Sequence, residues 1–153
     1  FPLSHKKEDT YLAGFSMGGY GAIRNGLKYH DTFGYIGAIS AALLTDDLHN
    51  WGEGDDLLSS RSFAQSCFGD LNKVIGSDMD PKFLIDDLID NGIEIPKIFM
   101  AVGDNDFLYN ENIDYYNYLK SRNVDVEFRC SSGEHTWEFC NDYIKEFIEW
   151  LPL

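Results

Sequence analysis

Apolar and polar positions along the chain alternate between two periods, and the switching between them predicts the elements. Thr10–Phe15 is a short apolar run rich in β-formers, and the small-residue stretch from Met17 to about Tyr29 has helical spacing. Tyr35–Ser40 (YIGAIS) predicts the next strand. Residues 41 to 77 follow no period and predict a long irregular segment containing NWGEGDD and SSRSFAQSCFG. Asp80-Pro81 then reads as a helix start, with Asp80 as N-cap and Pro81 in the first turn. The helix KFLIDDLIDNG closes at Gly92, Lys97–Val102 (KIFMAV) predicts a buried strand by its continuous apolar character, and a helix covers about Asn110–Arg122. Asp125–Cys130 is the last strand and Trp137–Leu151 the last helix. Strands separated by helices or long crossovers predict parallel βαβ units, hence an α/β fold with helices on both faces of a parallel sheet.

Composition narrows the function classes. The 153 residues suffice for one domain, and 44% hydrophobic content with 15% aromatics argues against disorder. The apolar runs are too short and interrupted to predict a membrane span. A formal net charge of −14, with no lysine or arginine cluster, excludes nucleic acid as the expected partner. Cys67, Cys130 and Cys140 are odd in number and form no CxxC pair, so they are expected to be buried free thiols. The chain opens FPLSHKK, without an initiator methionine or a charged-then-apolar leader, so the expectation is a processed chain or part of a longer protein.

The candidate chemistry begins at Gly14-Phe15-Ser16-Met17-Gly18. G-x-S-x-G at a strand-to-helix junction is the setting of a nucleophile elbow, in which a strained turn lifts the serine hydroxyl above the sheet. Gly14 and Gly18 are expected to remove Cβ atoms that would collide across the turn, and Gly19, Gly21 and Ala22 to let the helix pack close. No G-x-G-x-x-G and no P-loop lysine is present to favour a phosphate site. Of the four histidines, His5 suits a solvated turn, His30 a helix end and His49 the irregular segment. His135 lies in the loop between the last strand and the last helix, where parallel sheets place active sites, and is the candidate base. An orienting acid is expected just beyond strand 97–102, where pattern alone leaves Asp104 and Asp106 equivalent.

Together, GFSMGGYGA, GDNDFLY and GEHTWEF resemble the esterase family of α/β-hydrolases that includes S-formylglutathione hydrolases, feruloyl and acetylxylan esterases, tributyrin-type esterases and siderophore esterases. Glu134 stands where that family often has a second glycine, and Cys140 where an aromatic residue often follows. The resemblance implies an α/β-hydrolase fold, Ser16 as nucleophile, His135 as base and Asp106 as acid. It further implies the Met17 N–H as one oxyanion donor. The second donor comes, in the family, from a loop before the elbow strand, so the chain is expected to be the C-terminal portion of such a domain. Strand 10–15 would then be an apolar edge, prone to pair with another copy. The expected activity is hydrolysis of short acyl esters, acetyl or feruloyl esters of carbohydrates among them, with a small ester as partner and neither metal nor cofactor. Trp51, Phe107, Leu108 and Trp137 are the candidate substrate walls, and segment 41–77 folds over the site as a lid. An acyltransferase, a serine peptidase and a catalytically incomplete, self-associating piece are the alternative readings of the same residues.

Overall fold

The computed structural model describes residues 4–50 and 60–153, with the side chains of His49 and Asn50 excepted. Four parallel strands, β1 (Tyr11–Phe15), β2 (Tyr35–Ile39), β3 (Lys97–Gly103) and β4 (Val126–Ser131), lie side by side in chain order. Register pairs Tyr11 with Tyr35, Tyr35 with Lys97 and Ile98 with Val126. The helices are α1 (Met17–Lys28), α2 (Arg61–Phe68), α3 (Pro81–Asp90), α4 (Tyr109–Ser121) and α5 (Trp137–Trp150).

Because successive strands step the same way across the sheet, right-handed crossovers place their helices on one face. Ile23 and Leu27 of α1, Leu84, Ile85 and Leu88 of α3 and Leu119 of α4 accordingly pack with Ile36, Ala38, Ile98 and Met100. Alternation along the same strands turns Ile39, Phe99 and Ala101 to the opposite face, where α5 covers them with Phe139, Tyr143 and Phe147. Gly37 makes this possible, since a Cβ there would lie 2.8 Å from the Phe147 ring. The fold is the expected α/β arrangement with helices on both faces.

Strand β1 is an edge, and all five of its residues are half-buried. Ser16 N–H donates to Ile39 C=O and Gly34 N–H to Thr10 C=O, which turns the even-numbered residues toward β2. By alternation, Tyr11, Ala13 and Phe15 direct their backbone polar groups to the open side.

Three expectations need correction. Segment 41–77 is not irregular throughout: it holds α2, 3₁₀ turns at Thr45–Asn50 and Leu71–Lys73, and a small core of Leu48, Ala64, Leu71 and Val74. The segment leans on α1, where Phe68 meets the Tyr20 ring edge-on at 5.5 Å, and just beyond the segment Asp78 pairs with Lys28 and, at 2.7 Å, with Arg24. The thiols are free but not buried, since Cys67 and Cys130 are exposed and Cys140 is half-buried. Finally, the small-residue run is less uniform than its composition suggests. A Cβ at Gly19 would lie 2.9 Å from Ala41 and one at Gly26 2.4 Å from Ile36, whereas Gly18 and Gly21 face open space. Among the described residues, no helix is long and apolar enough to cross a membrane.

Candidate active site

Ser16 occupies the single residue between β1 and α1, with φ 57° and ψ −121°. A left-handed, non-helical conformation at a residue with a side chain costs about 1–3 kcal/mol and persists only where its surroundings enforce it. They do so here through four hydrogen bonds. Ser16 N–H donates to Ile39 C=O at 3.0 Å, and Ser16 C=O accepts from the N–H groups of Gly19 (2.9 Å), Tyr20 (3.2 Å) and Ala42 (2.9 Å). Gly14 is required for the turn, because a Cβ there would sit 2.1 Å from the carbonyl oxygen of Gly18. Gly18 itself has room for a Cβ, so the two glycines of the motif are not equivalent. Met17 is the first residue of α1, where a backbone N–H has no intrahelical acceptor, and its side chain is exposed.

The acid loop leaves β3 at Gly103 and is lashed to the loop carrying His135. Asp104 N–H donates to Ser131 C=O and Asn105 N–H to Gly133 C=O, both at 2.9 Å, while Asp104 Oδ1 accepts from Gly133 N–H at 3.1 Å. Asp104 and Asp106, equivalent in the sequence pattern, therefore have different work. Asp104 clasps the neighbouring loop. The Asp106 carboxylate has no exposed surface and accepts Leu108 N–H at 2.8 Å.

The loop after β4 brings His135 onto Asp106. Its Nδ1 lies 3.1 and 3.0 Å from the two carboxylate oxygens, and its Nε2 lies 2.9 Å from Ser16 Oγ. A carboxylate can only accept, so Nδ1 carries the proton and Nε2 of the neutral ring is left to accept the serine O–H. The imidazole is held between two aromatic rings, stacked on Phe15 at 4.5 Å with an interplanar angle of 27° and tilted 45° against Phe107, also at 4.5 Å.

Of the four candidate substrate walls, Phe107 and Trp137 are exposed beside the site at 73% and 71%, with Trp137 5.3 Å from Phe15. Leu108 is a correction. At 3% exposure its side chain belongs to the core, and its contribution is the N–H on Asp106. Trp51 lies outside the described residues, as do the EGDD carboxylates at 53–56. His5 is exposed and His30 half-buried, and neither approaches the serine within hydrogen-bonding distance. The stacking role of Phe15 escaped the sequence, where it reads as an ordinary strand residue.

The family model described as "Putative esterase" matches residues 1–151. The chain belongs to this esterase family. Among curated proteins, an acetyl esterase from Caldicellulosiruptor saccharolyticus is 43% identical over 152 residues. That match covers 99% of the chain but 57% of the relative, so the chain spans a little over half the length of its curated relative. Two solved structures from Staphylococcus aureus are similar over 99% of the chain and 57% of their own length, each at 34% identity. One is an S-formylglutathione hydrolase, with a TM-score of 0.82, and the other a substrate-bound, fluorophosphonate-binding serine hydrolase, with a TM-score of 0.84. The chain's sheet and helices are thus those of α/β-hydrolase esterases.

Proposed function

We propose that the chain carries the site of a serine carboxylesterase that hydrolyses short acyl esters through an acyl-enzyme. The observation that supports this best is the unbroken hydrogen-bonded path from Asp106 through His135 to Ser16. In this reading Ser16 Oγ attacks the ester carbonyl carbon while His135 Nε2 takes its proton, and the carbonyl electron pair moves onto oxygen. The Met17 N–H, at the positive end of α1, stabilises that oxyanion. Collapse of the tetrahedral intermediate breaks the bond to the alcohol, which leaves with the proton from Nε2. Water then repeats the sequence on the acyl-serine and regenerates the hydroxyl. Asp106 keeps the imidazole in the required tautomer and stabilises the imidazolium.

The acetyl esterase relative supports an acetyl-sized acyl group, and exposed Phe107 and Trp137 supply apolar surface beside the serine for it and its alcohol. We further propose that a second oxyanion donor comes from a segment outside this chain or from another copy paired along β1. A missing donor of this kind costs about 10²–10³-fold in turnover.

The test is hydrolysis of p-nitrophenyl acetate and butyrate by the purified chain beside its Ser16→Ala variant, with size-exclusion chromatography to read association. Activity that disappears in the variant is expected. Measurable hydrolysis at equal rates in the two proteins would refute the assignment of Ser16, and no hydrolysis by either would refute the esterase reading of this chain.

A further inference from the structure

Three segments meet beneath the site, and one buried side chain ties them together. Asn112, one turn into α4, has no exposed surface. Its Oδ1 accepts Ala41 N–H at 3.1 Å, and its Nδ2 donates to Ala41 C=O at 2.9 Å and to Leu108 C=O at 2.8 Å. Ala41 follows the bend that ends β2. Ser40 before it has φ 44°, and Ser40 N–H makes a last bond to Ala101 C=O at 2.7 Å before the chain leaves the sheet. Among the described residues the buried Ser40 hydroxyl has no hydrogen-bond partner, so none of them holds the bend through that side chain. The bend is held from outside, by Asn112 gripping both polar groups of the next peptide.

From this clamp, bonds run two ways. Ala42 N–H donates to Ser16 C=O at 2.9 Å, and Ala41 lies directly against Gly19 of α1. On the other side, Leu108 N–H donates to Asp106 Oδ1 at 2.8 Å. With the Asp106–His135 and His135–Ser16 bonds, the circuit closes on itself.

Resting on the esterase reading above, we infer that Asn112 is a positioning residue of this site, setting the separation of the serine elbow from the acid loop and so the presentation of the Asp106–His135 pair to Ser16. Only a side-chain amide of this length offers an acceptor and two donors there. Aspartate has the shape but no donor, and leucine would leave both polar groups of Ala41 unpaired.

The experiment uses the full chain and compares Asn112→Asp with Leu119→Ala. Leu119 is a buried core residue of the same helix that takes no part in the circuit. Three quantities are read: Tm, kcat and KM on p-nitrophenyl acetate, and the low-field proton resonance of His135 Nδ1–H, assigned by its loss in His135→Ala. Asn112→Asp should lower kcat by about 10²-fold with KM unchanged, the scale of a 1 Å misplacement, and should shift or broaden the resonance. Leu119→Ala should lower Tm yet leave resonance and kcat as in the wild type. Asn112→Ser, too short to span Ala41 and Leu108, should repeat the aspartate pattern. Loss of Tm alone in both Asn112 variants, or failure of both to fold, would overturn the inference and make Asn112 a determinant of the fold only. If the wild type hydrolyses no ester, the esterase reading falls and the resonance decides: a shift in Asn112→Asp upholds the positioning role, and none overturns it.

Discussion

Replacing Gly14 by alanine should do far more harm than the same change at Gly18. At Gly14 the new methyl would sit 2.1 Å from the Gly18 carbonyl oxygen and 2.2 Å from its carbon, where ordinary contact begins at 3.4 Å. Both groups are backbone, so no rotamer can yield, and the elbow must open by about 1 Å. Overpacking of this kind costs about 1–3 kcal/mol, and a rigid clash belongs at the top of that range. For a chain of this size, 3 kcal/mol is a Tm loss of about 6–12 °C. The same opening moves Ser16 relative to His135 and should lower kcat by about 10²-fold. At Gly18 the methyl would meet nothing within 4 Å, and alanine is the better helix former by up to about 1 kcal/mol, so Tm should hold or rise slightly. Thermal unfolding of the three proteins and ester hydrolysis by Gly14→Ala are the assays. Wild-type Tm and kcat in Gly14→Ala, or an equal Tm loss in Gly18→Ala, would refute the argument.

Asp106→Asn should keep the bond from Leu108 N–H, and with it Tm, while lowering kcat by about 10⁴-fold, because an amide donating to Nδ1 forces the wrong tautomer; steady-state kinetics beside thermal unfolding checks both halves. The tyrosines make alkaline stability readable. Burial pushes the Tyr20 phenol up to about 12, and burial also raises Tyr115 and Tyr118, the latter helped by the Asp86 carboxylate that accepts its O–H. Phenols ionise near pH 10 in the unfolded chain and later in the folded one, so this contribution is complete below about pH 10 and falls as pH rises from there toward 12. Far-ultraviolet circular dichroism against pH, with tyrosinate absorbance in parallel, should show stability lost within that window.

The elements with strong patterning were legible because one physical signal governed each. From Ile98 on, KIFMAV is buried on both faces and its continuous apolar run reads as a strand, and Asp80 caps α3 through Lys82 N–H as its place before a proline predicts. Helix α2 escaped notice because only Ala64 of its eight residues is buried, so RSFAQSCF carries almost no apolar stripe. Its one legible signal was the cap, Ser60 accepting Phe63 N–H. The cysteines misled for a related reason. The expectation rested on their odd number and the lack of a CxxC pair, which argue against a disulfide or zinc site but do not place a thiol, and Cys67 sits on this polar helix and Cys130 on the last strand of the sheet. At the site, Ser16 and His135 followed from spacing and position, whereas Asp104 and Asp106 differ only in which loop atoms reach them. Asn112 was beyond reach, because an asparagine inside a helical stretch shows its value only when a distant bend at Ser40 is brought against it.

The serine and its imidazole are 119 residues apart in the chain, whereas His135 and Asp106 are separated by 29. The Asp106–His135 pair is therefore contributed by one βαβ unit, β3–α4–β4, and the loop that follows it. The contact with Ser16 closes a much longer loop, through most of the polypeptide, and so carries the larger ordering cost. On the proposed esterase reading, reactivity at Ser16 depends on the completed sheet, because β1 and β4 are held in place relative to one another only through β2 and β3.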